Sequence, residues 1–392
     1  MTAWTLLGAA GAGQAALRDA VAAQASGLRP HRDAALPLEC WTGRLDTLDD
    51  AALPAALAEW DCRATRLAWQ ALQLDGFIGA VQAAVARHGA ARVGLVLGSA
   101  ASTIGASEQA YRTLAPDGGF PAPLRSPRLN TPHALALFVQ AQLGLEGPCL
   151  TVSTACSSSA KAFACAERWL RLELADAVVV AGVDALCGSL LYGFRALGLV
   201  ASEPCRPFDA QRRGISLGEA AGFALLARGP GAMQLLGYGE SNDAHHMSGP
   251  HPQGLGAEAA LDDALARAAL APDDIDYLNL HGTATPQNDE VEAALVARRY
   301  PATVHASATK GLTGHTMGAA GLVEAALCWT ALAHGLRSGS AFTAAPDPAL
   351  GERFAAQLRL APAEAPTQVA ASHSFGFGGS NAVLLFGRGE AA

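Results

Sequence analysis

Charged and aromatic side chains are scarce in this chain of 392 residues: Asp, Glu, Lys and Arg make up 16% and Phe, Trp and Tyr 6%. So few aromatics leave no stacking platform for nucleic-acid bases. The 27 basic residues against 35 acidic ones, a formal charge of −8, argue against a broad nucleic-acid or membrane-binding face. No window approaches about 18 uninterrupted apolar residues, so no membrane-spanning helix is expected. The start, Met1-Thr2-Ala3-Trp4, lacks a basic stretch ahead of an apolar one, and a cytoplasmic location is expected. The eight cysteines (Cys40, Cys62, Cys149, Cys156, Cys165, Cys187, Cys205, Cys328) form no CxxC pair. That spacing suggests neither a metal site nor a disulfide framework, and no metal is expected.

Small and apolar residues are what the chain has in quantity: 51% hydrophobic, with 42 glycines. The profile is too apolar and too weakly charged for disorder, and the length can bury a large core, as two domains or one duplicated unit. Short β-branched runs at residues 93–97, 149–153, 177–181, 222–226, 234–236, 275–281, 368–372 and 382–386 read as buried strands. Ala-rich stretches at 63–86, 132–143, 157–174, 257–270, 288–299 and 319–336 read as helices. The alternation predicts an α/β fold with layered sheets. The two halves, residues 1–230 and 231–392, meet near Arg228-Gly229-Pro230 and each closes on hydrophobic strands.

Four segments carry chemistry. In Thr151-Val152-Ser153-Thr154-Ala155-Cys156-Ser157-Ser158-Ser159 a strand runs into a small-residue turn and then a helix. Cys156 at that junction is either a nucleophile, its thiolate favoured by the helix dipole and free backbone N–H groups, or a buried thiol beside a serine cap. His281 stands where a strand ends in Gly282-Thr283-Ala284-Thr285-Pro286, and His315 in a glycine-rich loop ahead of a helix. Strand ends and helix starts are where α/β proteins build sites. The closing loop, Phe375-Gly376-Phe377-Gly378-Gly379, permits positive φ and exposes N–H groups suited to an oxyanion or phosphate. No helix follows it, which argues against a dinucleotide site.

Together the motifs Thr154-Ala155-Cys156-Ser157, His281-Gly282-Thr283-Ala284-Thr285-Pro286, Lys310-Gly311-Leu312-Thr313-Gly314-His315 and Phe375-Gly376-Phe377-Gly378-Gly379-Ser380-Asn381 resemble those of the β-ketoacyl-acyl-carrier-protein synthases with a Cys–His–His triad. The resemblance covers nearly the whole chain. It implies the thiolase fold: two βαβαβαββ halves in a five-layered α-β-α-β-α core, the first half (1–230) carrying the nucleophile and the second (231–392) both histidines and the gating loop. It implies decarboxylative condensation of a malonyl thioester with an acyl chain on Cys156, in fatty-acid or in aryl polyene and polyketide elongation. His281 and His315 would be the catalytic histidines, and Lys310 and Glu324 a charged pair beside them, either catalytic or a structural ion pair. Phe377 would gate the site, its N–H completing an oxyanion hole with that of Cys156. Thr283 and Thr285 would hydrogen-bond phosphopantetheine.

No cofactor is implied beyond the carrier's phosphopantetheine. The implied partners are an acyl carrier protein and a second chain, giving a homodimer or a heterodimer with a chain length factor. An acidic carrier requires arginines gathered at one entrance of an acidic enzyme. Arg63 and Arg66 match the family's docking helix, and Arg212 and Arg213 could contribute. Small residues in the 98–102 loop, notably Ala101, would leave room at the inner end of the acyl tunnel. The alternative function is a non-condensing chain length factor, which usually lacks the cysteine present here. A thiolase would need a second cysteine near the C-terminus, where this chain has Phe377.

Overall fold

The computed structural model describes residues 1–121 and 125–389. Ten strands and one two-residue strand form the two main sheets. The first sheet takes β1 (Ala3–Gly8), β2 (Val93–Gly98), β3 (Cys149–Val152), β4 (Ala177–Asp184) and β5 (Ala220–Ala227). The second takes β6 (Met233–Asn242), β7 (Tyr277–Leu280), β8 (His305–Ala308), β9 (Val369–Gly376) and β10 (Ser380–Arg388). Their spatial orders are β1-β5-β4-β2-β3, with a two-residue strand beside β1, and β6-β10-β9-β7-β8. In both sheets the first two pairings are antiparallel and the last two parallel. One topology is therefore used twice, and no strand crosses from one sheet to the other between Ala227 and Met233.

Strands buried on both faces explain the continuous apolar runs: every residue of β2 and β4 is buried. Between the sheets lie the helices Ser158–Arg171 and Ala320–His334, which pack on each other and on strands of both. Helices Arg63–Leu72, Phe77–His88 and Ala134–Leu143 cover the outer face of the first sheet, and Leu255–Ala268 and Pro286–Arg299 that of the second. The result is the five-layered thiolase fold. Aromatic rings concentrate at the centre, where Trp329 sits 5.3 Å from Trp4, 5.9 Å from Phe163 and 5.5 Å from Phe386.

Three features differ from the sequence expectation. The helix expected over 63–86 is two helices, because Asp75 and Gly76 take φ of 53° and 69° and break the chain between Leu72 and Phe77. β8, His-Ala-Ser-Ala, escapes a hydrophobicity reading, yet it is wholly buried and pairs with β7 along its length. The stretch Met317–His334 is long and apolar enough to cross a membrane by composition, but 89% of it is buried inside the protein as the central helix.

Candidate active site

Cys156 lies four residues beyond the C-terminal end of β3 and one residue before the cap of the central helix Ser158–Arg171. The turn is tight, with Ala155 at φ 51°, a conformation that L residues adopt only when neighbours enforce it. The Ser158 hydroxyl provides the enforcement: it donates to Ala155 O (2.5 Å) and accepts from the Thr154 N–H (2.9 Å). The closing loop packs directly on this turn. A Cβ on Gly376 would stand 2.9 Å from Thr154 O and 3.2 Å from Cys156 N, so only glycine allows that approach. The Phe377 N–H that follows acts on the Cys156 sulfur and favours its charged form.

Two loops of the second half bring the histidines to the sulfur. His315 is aligned by main-chain pairing: its N–H donates to Ser216 O (2.7 Å), and the Gly218 N–H donates to its carbonyl (2.9 Å). Its Nε2 is 2.9 Å from Cys156 Sγ. The His281 and His315 rings meet edge to face at 5.5 Å, and one ligand-capable atom from each of Cys156, His281 and His315 falls within 4.8 Å of the others.

Lys310 and Glu324, buried together, hold His281 from behind. The Lys310 ammonium donates to Glu324 Oε1 (2.5 Å), to the His281 carbonyl, and to His281 Nδ1 (3.4 Å). Lysine has three protons and no lone pair, so this contact makes Nδ1 an acceptor and leaves the ring proton on Nε2. Ser374 donates to the other Glu324 oxygen (3.1 Å). Burial pushes the Glu324 carboxyl up, and the Lys310 charge opposes it. A cysteine and two histidines in this arrangement would also suit zinc. The ammonium against His281 disfavours a second cation there.

Burial decides the protonation states. It pushes the Cys156 thiol up to about 12, outweighing the opposing pull of Lys310 and of the Phe377 N–H. It holds His281 and His315 well below the usual imidazole range, with Lys310 acting in the same direction. The resting site is therefore a neutral thiol beside neutral imidazoles, not the helix-stabilised thiolate expected from sequence. Alkylation of Cys156 by iodoacetamide should accelerate about tenfold per pH unit between about pH 7 and 9. A flat rate over that range would mean that the thiolate already exists.

The cavity above these groups has a volume of about 550 Å³ and is lined by Cys156, His281, His315, Phe377, Thr283 and Thr285 among others. Thr283 and Thr285 hydroxyls lie 2.8 Å apart. The Phe377 ring rests on Phe194 at 5.6 Å across the entrance. Ala101 lines a different, smaller cavity of about 240 Å³, its loop pinned where Asp184 accepts from Ser99 Oγ and from the N–H groups of Ala100 and Ala101.

Arg63 and Arg66 stand apart from this entrance, along a second cavity. The Arg63 guanidinium is spent inside the protein, on buried Glu219 (2.8 and 2.5 Å), Asp49 and the Leu45 carbonyl, and is not available to a partner. Arg66 makes a two-pronged pair with Asp61 at 2.6 Å. Arg212, 6% exposed, is held by Asp347 (2.6 Å).

The sequence reading missed Glu292, whose two oxygens accept the N–H groups of His281 and Gly282 at 2.8 Å each. Its position one turn beyond Asn288 on the helix Pro286–Arg299, after the His281 loop, was the available signal.

The chain is similar to known proteins along most of its length. The family description "Beta-ketoacyl synthase, N-terminal domain" matches residues 59–232, and "Beta-ketoacyl synthase, C-terminal domain" matches 233–340. Nodulation protein E of Rhizobium meliloti (strain 1021) is 36% identical over 309 residues, 76% of each chain. The 3-oxoacyl-[acyl-carrier-protein] synthase 2 of Staphylococcus aureus (strain COL) is 31% identical over 325 residues, again 76% of each chain. Among solved structures, the ketosynthase ApeO of Xenorhabdus doucetiae, determined in complex with its chain length factor ApeC, superposes with a TM-score of 0.89 at 34% identity. That superposition covers 99% of this chain and 97% of the other.

Proposed function

The chain belongs to the β-ketoacyl synthase family of acyltransferases, and from that premise we propose that it condenses a malonyl unit with an acyl chain held as a thioester on Cys156, both delivered on the phosphopantetheine arm of an acyl carrier protein. The observation that carries this is the meeting of a buried thiol with two neutral imidazoles, one of them 2.9 Å from the sulfur. A chain length factor without condensing activity would have no use for that contact.

In the first half-reaction the Cys156 sulfur attacks the acyl thioester carbonyl while its proton passes to His315 Nε2. The oxyanion is held by the N–H groups of Cys156 and Phe377, and collapse expels the carrier thiol, which takes the proton from His315. In the second, the malonyl carboxylate leaves as carbon dioxide and the thioester oxygen gains negative charge. The His281 Nε2–H donates to that oxygen. His315 joins it, because its Nδ1 has no hydrogen-bond partner among the described residues and the ring proton sits better on Nε2 once an acylated sulfur no longer supplies one. The carbanion attacks the Cys156 thioester, and the released thiolate takes a proton from solvent, the one proton that the overall condensation consumes. Thr283 and Thr285, on the cavity wall, suit the amide groups of the pantetheine arm.

The test is to incubate the protein with malonyl-carrier and a panel of acyl-carriers and to follow acyl-Cys156, carbon dioxide and product by intact mass. Acylation followed by carbon dioxide release is expected, and the preferred acyl chain would separate fatty-acid from polyene elongation. Neither adduct nor carbon dioxide would overturn the proposal.

The carrier is proposed to dock on Arg195 and Arg213. Both are exposed, and neither makes an ion pair among the described residues. Each adjoins the entrance: Phe194 lines the cavity beside Arg195, and Ile215 lies two residues from Arg213. Arg195→Glu with Arg213→Glu should lower kcat/KM for carrier-borne substrates about tenfold at low salt and leave alkylation of Cys156 unchanged. Unchanged carrier kinetics would remove this assignment. A second thiolase-fold chain is proposed to pair with the free edge of β3, where Leu150 is 40% exposed and the other three residues of the strand are half-buried. The duplicated strand order supports treating residues 1–230 and 231–392 as the two halves.

A further inference from the structure

Next to His281 lies a second set of buried polar side chains that the reaction above does not use. His373 on β9 is fully buried, with Nδ1 3.1 Å from Glu292 Oε1 and Nε2 2.9 Å from the Tyr300 hydroxyl. The same Glu292 oxygen accepts the His281 N–H, and its other oxygen accepts the N–H of Gly282 and, at 3.4 Å, the Asn288 amide. The His373 ring also packs on Phe375 at 5.2 Å, and Phe375 packs on the His281 ring at 5.8 Å. His373 thus reaches His281 by two routes, through the carboxylate to its main chain and through an aromatic face to its ring.

The proton directions in this set are determined by chemistry. Burial and the nearby Glu292 keep the Tyr300 phenol protonated, so its O–H donates to His373 Nε2. With Nε2 accepting from Tyr300, the ring proton of His373 is on Nδ1 and is donated to Glu292. The carboxylate is filled by donors that all hold still: two consecutive main-chain N–H groups, one imidazole and one amide. Buried acceptors of this kind are rigid when satisfied and costly when a donor is withdrawn.

We propose that His373, oriented by Tyr300, is a positioning residue for decarboxylation: it locks Glu292, and through it the His281 loop, so that the His281 Nε2–H points at the developing enolate. This rests on the reading of His281 as the enolate donor. Acyl transfer to Cys156 uses the His315 contact and the oxyanion hole instead: His315 is aligned by Ser216 and Gly218, and the Phe377 N–H, although it follows β9, takes no part in the hydrogen bonds of Glu292. Loss of His373 should therefore be felt in one half-reaction only, which a general loss of packing would not produce.

The experiment measures two rates separately: single-turnover acylation of Cys156 from an acyl-carrier, by intact mass, and carbon dioxide release from malonyl-carrier. His373→Leu, which withdraws the donor, should slow decarboxylation at least about tenfold and leave acylation within about threefold. His373→Asn places an amide N–H where Nδ1 stood and should restore most of the loss. Tyr300→Phe, which keeps the volume and removes only the hydroxyl, should slow decarboxylation and spare acylation, and it provides the same reading if His373→Leu does not fold. Equal slowing of both steps, a His373→Asn enzyme as poor as His373→Leu, or a Tyr300→Phe enzyme with wild-type decarboxylation would each overturn the assignment. A wild-type protein that neither acylates nor releases carbon dioxide would overturn the proposed function itself, and this inference with it.

Discussion

Cys156→Ala should abolish condensation, by a factor of about 10⁴ or more, while carbon dioxide continues to be released from malonyl-carrier. The two half-reactions use different atoms. Acyl transfer needs the sulfur, which His315 Nε2 contacts at 2.9 Å and on which the Phe377 N–H acts. Decarboxylation needs only donors at the enolate oxygen, and His281 and His315 are held by groups that the substitution does not touch: Glu292 and Lys310 for one, Ser216 and Gly218 for the other. Removing the thiol also frees His315 Nε2 from its hydrogen bond to the sulfur, so its ring proton moves to Nε2 and its donor role is kept. The stability cost should be small, because the neutral thiol is a small buried group whose loss removes about one methylene's worth of packing. The readouts are acyl-enzyme and product by mass, carbon dioxide, and the unfolding midpoint. Loss of decarboxylation in step with condensation, at an unchanged midpoint, would mean that the sulfur takes part in both steps.

That division between what is local and what is distant also separates what the sequence revealed from what it hid. Cys156, His281, His315 and Phe377 sit in short runs whose glycines and small residues are required by tight turns and close backbone approach, so the motif and the geometry are the same information. Arg63 shows the opposite case. Its partner Glu219 lies 156 positions away, and nothing around Arg63 distinguishes a guanidinium aimed inward from one aimed at a carrier. The same holds for His373, whose partners Glu292 and Tyr300 lie 81 and 73 positions away. The thiolate expectation failed for a related reason. A helix N-terminus is visible in sequence and lowers a thiol's proton affinity, but the depth of burial that raises it belongs to the whole fold and is the larger effect here. Strand positions were legible where both faces are apolar, as in β2 and β4, and not in β8, which is buried although its residues are small or polar.

Lys310→Met is expected to lose stability and activity together, and a second substitution should separate the two. The Lys310–Glu324 pair is buried, at side-chain exposures of 3% each. Removing one partner of such a pair leaves an uncompensated charge and costs about 3–5 kcal/mol. The cost should depend on pH, with a definite sign. Burial already raises the Glu324 carboxyl, and without the ammonium it rises further above its unfolded value. The folded variant then holds a proton that the unfolded chain releases, so its stability declines as the pH rises through that elevated value. Urea unfolding should show Lys310→Met closer to wild type at about pH 5 than at about pH 8. Lys310→Met with Glu324→Leu removes both charges and should recover most of the stability, as expected when a buried pair is replaced by apolar groups. Activity should not return. The His281 carbonyl and Nδ1 lose their donor in both variants, the ring is free to turn or to place its proton on Nδ1, and turnover should stay about 10²-fold down. A double variant that regained wild-type turnover would reduce Lys310 to a structural ion pair and leave the orientation of His281 to Glu292 and Phe375 alone.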